Sequence, residues 1–141
     1  MKNIIFMGKT GSGKTTLCQK LDDLEIKYNK TQSVELYNQS IDTPGEYMEN
    51  RSLYSALITT AVDAKTIALV YDPTQSEGYI APGFASMFAK NVIGIITKID
   101  IANENEIELA KEKLKMAGVN EIFLVDTIKG IGIEELFEYL S

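Results

Sequence analysis

The segment Ile4-Ile5-Phe6-Met7-Gly8-Lys9-Thr10-Gly11-Ser12-Gly13-Lys14-Thr15 joins a short apolar run to eight residues that match the phosphate-binding pattern G-x-x-x-x-G-K-[ST] at every fixed position. Glycines accept positive φ, so consecutive N–H groups can converge on phosphate oxygens with no Cβ in the way. The helix expected from about Thr15 to Leu24 adds its dipole and its unpaired first-turn amides to the same anion site. Lys14 brings a compact positive charge to the β- and γ-phosphates, and the Thr15 hydroxyl suits Mg²⁺, a hard cation that takes oxygen ligands. Gly8, Lys9, Thr10, Gly11, Ser12, Gly13, Lys14, Thr15 and Thr16 form the candidate phosphate-binding set. A strand-to-helix turn with no ligand would need neither the Lys-Thr pair nor this spacing.

Downstream, short β-branched runs alternate with longer stretches of helical period, as in an α/β fold whose mainly parallel sheet is covered by helices on both faces. Strands are expected near Asn3–Met7, Ser33–Tyr37, Ser40–Asp42, Thr66–Tyr71, Asn91–Thr97 and Glu121–Val125, giving a six-stranded sheet. Asn38-Gln39 reads as a tight turn that makes an antiparallel hairpin at one edge. Tyr54, Leu57, Ile58 and Ala61 fall on one helical stripe expected to be buried, as do Ile107, Ala110, Leu114 and Ala117. The second stripe carries its own boundaries, with Asn103 as N-cap, Glu106 three residues on and Gly118 as the stop.

Ile133, Leu136 and Leu140 mark a terminal helix with Glu134 and Glu135 at its positive end. Phe84, Met87 and Phe88 mark one or two core-facing turns after Pro82-Gly83. The stretch Asp72–Pro82, dominated by Pro, Gly, Ser and Thr, is expected to be the mobile loop of the second half.

Composition bounds the chemistry. With 141 residues against a typical domain of ~150, a single nucleotide-binding domain over 1–141 is expected. Twenty acidic and fourteen basic residues leave a net charge of −6, which repels polyphosphate backbones and anionic headgroups. Neither nucleic acid nor a membrane is an expected partner. The apolar run Ile4–Met7 is too short for a signal-peptide core or a membrane span, and the lone Cys18 fits a reducing, cytoplasmic setting. The absence of His removes imidazole triads, imidazole metal ligands and imidazole acid-base catalysis. Carboxylates, Lys, hydroxyls, backbone amides or a metal must carry any reaction.

Three further stations surround the phosphate motif. Asp42-Thr43-Pro44-Gly45 puts a carboxylate at the carboxyl end of a strand, where open α/β sheets bind ligands. Asp42 can orient the Mg²⁺ shell, and the Gly45 amide can approach a γ-phosphate closely in a segment that orders with one nucleotide and relaxes with another. Thr97-Lys98-Ile99-Asp100 closes the next long apolar run. Asp100 can accept two hydrogen bonds from the ring N–H and exocyclic amine of guanine, a donor pair adenine lacks. The Lys98 stem can lie along the base, and Thr97 can tie its loop to the cradle. Asp126 and Thr127 end the following strand and can touch the base from the other side. Thr31, in the loop before the hairpin, is a candidate metal-closing hydroxyl at the place where a γ-phosphate sensor is expected.

Taken together, the cradle, Asp-Thr-Pro-Gly and Thr-Lys-x-Asp occur in the order and approximate spacing of small GTPases of the translation-factor-related class. More narrowly, Lys30-Thr31-Gln32, Asp42-Thr43-Pro44-Gly45-Glu46-Tyr47, Glu49-Asn50-Arg51, Pro82-Gly83-Phe84 and the Gly94–Asp100 stretch resemble the EutP/PduV family of ethanolamine- and propanediol-utilisation proteins. That resemblance implies a three-layer, Ras-like P-loop NTPase fold with one antiparallel edge strand. It also implies a bacterial cytoplasmic protein linked to metabolic microcompartments, with a microcompartment shell or enzyme as partner. The chain departs from the GTPase pattern in carrying Thr97 where Asn is more usual and Asp126-Thr127 where Ser-Ala is typical. Glu46 stands where many GTPases have a water-orienting Gln.

Three functions are compatible with these residues. One is a Mg²⁺-dependent GTPase that uses Lys14 and the loop amides on the β–γ bridge, with Glu46 as a carboxylate that could act as a base or repel a phosphate. The second is an ATP-dependent small-molecule phosphotransferase, such as an acetate kinase, built on the same cradle. The third is a non-catalytic adaptor gated by nucleotide that docks on a microcompartment.

Overall fold

A computed structural model describes residues 3–9, 11–29, 40–42, 54–75, 80 and 82–141. Five strands form one sheet among the described residues: β1 (Ile4–Gly8), β2 (Ser40–Asp42), β3 (Thr66–Tyr71), β4 (Asn91–Ile96) and β5 (Glu121–Leu124). Their spatial order is β2-β1-β3-β4-β5, and every neighbouring pair is parallel. Four α-helices accompany them: α1 (Lys14–Asn29), α2 (Tyr54–Thr60), α3 (Glu104–Ala117) and α4 (Ile133–Leu140), with a 3-10 turn at Phe84–Met87. The antiparallel outer strand expected over Ser33–Tyr37 lies outside the described residues.

Period-2 alternation sorts the strand residues into two cores. Ile67, Leu69 and Tyr71 of β3 face one side with Met7, Val92 and Ile96. There they meet Leu57 and Ala61, Phe84 and Phe88, and the α3 stripe Ala110, Leu114 and Ala117. The intervening Ala68 and Val70 face the other side with Ile4, Phe6, Ile93 and Ile95, against Leu17, Cys18 and Leu21 of α1 and Ile133, Leu136 and Phe137 of α4. A sheet buried on both faces needs near-continuous apolar strands, which these runs supply. On β4, Gly94 leaves room for α3, because a Cβ there would stand 2.8 Å from Leu114 Cδ1.

Two expectations are corrected. Ile58 does not share the buried stripe of α2: it is exposed while Leu57 and Ala61 are buried, since the short helix turns only that edge to the sheet. Helix α1 continues past Leu24 to Asn29, because Tyr28 extends the stripe of Leu17, Leu21 and Leu24 and meets Phe137 of α4 at a ring-centroid distance of 6.0 Å. No helix among the described residues is long and apolar enough to cross a membrane.

Helix α3 starts on a capping box. The Asn103 side chain accepts from the Glu106 amide at 2.8 Å, and Glu106 Oε1 accepts from the Asn103 amide at 3.0 Å. It ends at Gly118 with φ 94°, a left-handed stop. Asn103→Ala is predicted to cost about 1 kcal/mol in urea unfolding, and Asn103→Gly only a few tenths. Equal losses for the two variants would show that the cap is not what starts this helix.

Candidate functional site

Parallel strands bring all their carboxyl ends to one edge of the sheet, and four of the sequence stations meet there. Gly8 ends β1 in register with Val70 on one side and Asp42 on the other. A Cβ at Gly8 would lie 2.5 Å from the Val70 carbonyl oxygen and 2.9 Å from Ser12 Oγ, so the Val70 backbone and the Ser12 side chain leave room only for glycine here. The chain then turns through residues 9–13, with Gly11 at φ 85° and Gly13 at φ 100°, and enters α1 at Lys14. The Ser12 amide donates to the Lys9 carbonyl at 3.0 Å and closes the turn.

Lys14 is buried, and a buried ammonium needs hydrogen-bond partners. It donates to the Gly8 carbonyl at 2.7 Å and the Lys9 carbonyl at 3.3 Å, which parks its charge at the root of the loop. Thr15 and Thr16 are exposed on the first turn of α1, at the mouth of this cradle. The Ser12 side chain is only 1% exposed, and its Oγ has no hydrogen-bond partner among the described residues.

The turn after β4 fastens onto the outside of the loop. Thr97 Oγ1 donates to the Ser12 carbonyl at 2.7 Å, with the Tyr71 carbonyl as a longer acceptor at 3.3 Å. Carbonyl and following N–H point in opposite directions across a trans peptide, so fixing the Ser12 carbonyl also fixes where the Gly13 N–H points. Lys98, held at φ 55°, donates from Nζ to the Gly11 carbonyl at 3.0 Å. Asp100 follows, exposed, in a turn where the Ile101 and Ala102 amides both donate to the Lys98 carbonyl.

Asp72 was not among the residues singled out by the sequence, which placed it at the start of a mobile loop. Here it is a fixed point. Its carboxylate is 1% exposed and pairs with Lys98 Nζ at 2.8 Å. Its Oδ1 accepts from the Thr74 amide at 2.9 Å and the Thr74 hydroxyl at 2.6 Å. Burial acts to raise the Asp72 pKa, but the hydrogen bonds from Lys98 and Thr74 and the lysine charge outweigh it and hold the carboxyl below its ordinary value. One signal could have found it, namely a carboxylate directly after a strand that borders the phosphate loop.

Asp126 is buried, and its Oδ1 accepts from the Ile128 and Lys129 amides at 2.9 and 3.1 Å. Its own amide donates to the Ile131 carbonyl at 2.9 Å, so this residue organises the turn after β5. Its Oδ2 is buried without a hydrogen-bond partner among the described residues. Thr127 beside it is half-buried. Asp42 is placed by its backbone, at the end of β2 and opposite Gly8. Thr10, Thr31, Gly45 and Glu46 lie outside the described residues.

The arrangement is a glycine loop at a helix N-terminus, with a buried lysine at its root and a second loop hydrogen-bonded to its outer side. Comparison with known proteins matches residues 1–141 to the family described as "Ethanolamine utilisation - propanediol utilisation". The chain is 38% identical over 141 residues to "Propanediol utilization protein PduV" of Citrobacter freundii, covering 100% of this chain and 94% of that one. It is 32% identical over 143 residues to "Probable acetate kinase EutP" of Escherichia coli (strain K12), covering 100% of this chain and 90% of that one. Among solved structures, it is similar to the translation elongation factor SelB of Methanococcus maripaludis in complex with the GTP analogue GPPNHP, with a TM-score of 0.62 and 21% identity. That likeness establishes the fold. It covers 98% of this chain and 32% of the elongation factor, so the chain spans about a third of that protein's length.

Thr97→Val keeps the shape of the side chain and removes the donor to Ser12. The buried Ser12 carbonyl loses its partner, which predicts a loss of about 1–3 kcal/mol in urea unfolding, with faster hydrogen exchange at the Gly13 amide. Wild-type stability and exchange in that variant would mean that the hydroxyl does not hold the loop.

Proposed function

Because the chain belongs to the ethanolamine-utilisation and propanediol-utilisation family, we propose that it is a P-loop nucleotide-binding protein of those pathways, acting as a slow, Mg²⁺-dependent GTPase switch. The observation that carries this reading is the direct attachment of the Thr97–Lys98 turn to the carbonyls of Ser12 and Gly11. It makes a phosphate loop and a base-facing loop into one unit of the kind a nucleoside triphosphate requires.

In this reading the loop amides not used within the turn and the Lys14 ammonium stabilise charge on the β–γ bridge and γ-oxygens as the terminal phosphoryl group leaves. Lys14 reaches that position by exchanging its carbonyl partners at the loop root for phosphate oxygens. Asp100 accepts from the guanine edge, with Thr127 and the turn built by Asp126 on the far side of the base. Gly45 approaches the γ-phosphate, and Glu46 positions the attacking water. The donors near the cradle are hydroxyl and carboxylate oxygens, the class Mg²⁺ takes. Thr15 and Asp42 would hold the ion, with Thr31 closing the shell, and the ion would supply charge neutralisation at the phosphates. The chain's one arginine, Arg51, lies outside the described residues, and turnover without a partner is expected on the order of 10⁻⁴ to 10⁻² per second. A microcompartment shell protein or enzyme in the cytoplasm is the proposed activating partner.

A second reading is favoured by the Escherichia coli relative, named a probable acetate kinase. The same cradle would then pass the γ-phosphoryl group of ATP to a small carboxylate or alcohol in place of water. Purified protein given GTP or ATP, with and without acetate, ethanolamine or propanediol, separates the two. Free phosphate from GTP alone supports the switch, and a phosphorylated metabolite supports the kinase.

Lys14→Ala removes charge-assisted hydrogen bonds to phosphate and is predicted to weaken nucleotide binding roughly 10- to 150-fold in calorimetry. Unchanged affinity would refute the cradle assignment. Asp100→Asn is predicted to move base preference from guanine toward xanthine, whose C2 oxygen accepts from an amide. A wild-type protein that prefers ATP over GTP in competition would remove the base-reading role of Asp100.

A further inference from the structure

We propose that Asp72 is a positioning residue for the nucleotide site: by pairing with Lys98 it locks that lysine across the Gly11 carbonyl and so couples the base-facing turn to the phosphate loop. This deepens the nucleotide-binding reading and rests on it.

The two partners differ in how firmly they are held. Asp72 follows the last residue of β3, is buried, and has its Oδ1 clamped by both the amide and the hydroxyl of Thr74. Lys98 has a side chain 37% exposed, on a left-handed residue in a turn. A half-exposed lysine would ordinarily sample many rotamers. Asp72 Oδ2 at 2.8 Å and the Gly11 carbonyl at 3.0 Å select one of them, in which the ammonium bridges β3, the β4 turn and the phosphate loop. The depressed pKa of Asp72 keeps the carboxylate charged at neutral pH, so the pair persists there.

The sign of the effect makes the proposal testable. A carboxylate near an anion site repels a triphosphate through space, so removing its charge should tighten binding if repulsion were its only influence. A positioning role predicts the opposite. A purely structural role predicts a lower melting temperature with unchanged affinity per folded molecule.

The experiment measures GTP and GDP affinity by calorimetry for wild type, Asp72→Asn, Lys98→Gln and the double variant, together with thermal melting of each nucleotide-free protein. Asp72→Asn keeps an oxygen for Thr74 and is expected to weaken both nucleotides about tenfold. It should add little in the Lys98→Gln background, since the two residues act through one interaction. Should Asp72→Asn fold poorly, Thr74→Val loosens the clamp while keeping both charged partners and is expected to weaken binding several-fold. Affinity that is unchanged or tighter in Asp72→Asn or Thr74→Val, or additive effects in the double variant, would overturn the positioning role while leaving nucleotide binding intact. A wild-type protein that binds neither nucleotide would instead overturn the reading on which it rests.

Discussion

A loop that aims several amide dipoles at one point is electrostatically unfavourable until an anion arrives, so something must hold it on the side facing away from the ligand. In this protein the restraint is a set of donors on the loop carbonyls. Lys14 holds Gly8 and Lys9, Lys98 holds Gly11, and Thr97 holds Ser12. The bond from Thr97 fixes the Ser12 carbonyl and, through the rigid peptide plane, the direction of the Gly13 N–H. The braces from Thr97 and Lys98 sit on the outer side of the loop, so they shape it without a ligand.

The sheet exists in a form that makes this restraint reachable. Parallel order places the ends of β1, β3 and β4 side by side, with Tyr71 opposite Ile96 and Gly8 opposite Val70. Residues one step beyond those ends, Asp72 and Thr97, therefore stand next to the loop that leaves Gly8. The two cores secure that geometry from both faces. Leu114 fits against Gly94 on one side, and Leu17 and Leu21 of α1 pack beneath the phosphate loop on the other.

Much of this architecture could be read from local chemistry. The limits of β3 at Thr66–Tyr71 follow from the uninterrupted apolar run Ile67–Tyr71, and those of α3 from the Asn103–Glu106 box and Gly118. The Thr97 contact was anticipated because a hydroxyl at a strand end beside a phosphate loop has few other uses. What escaped was whatever depends on a distant partner. Asp72 looks like loop material because Pro73 and Thr74 follow it, and nothing in its neighbourhood announces Lys98. The tail of α1 continues the spacing of Leu17, Leu21 and Leu24 only through Tyr28, whose partner Phe137 lies far along the chain. Ile58 fits the stripe by position but falls on the rim of a helix only two turns long. Asp126 has the right address for a base contact, yet one of its oxygens serves its own turn.

The donors from Thr97 and Lys98 lie 85 and 87 residues along the chain from the carbonyls they hold. During synthesis the glycine motif leaves the ribosome early, while its outer braces arrive only after about two thirds of the protein has been made. A truncated or half-translated product carries the full signature motif without the means to keep it in shape. The shape of the early motif therefore depends on β4 having docked beside β3, a contact between distant parts of the chain.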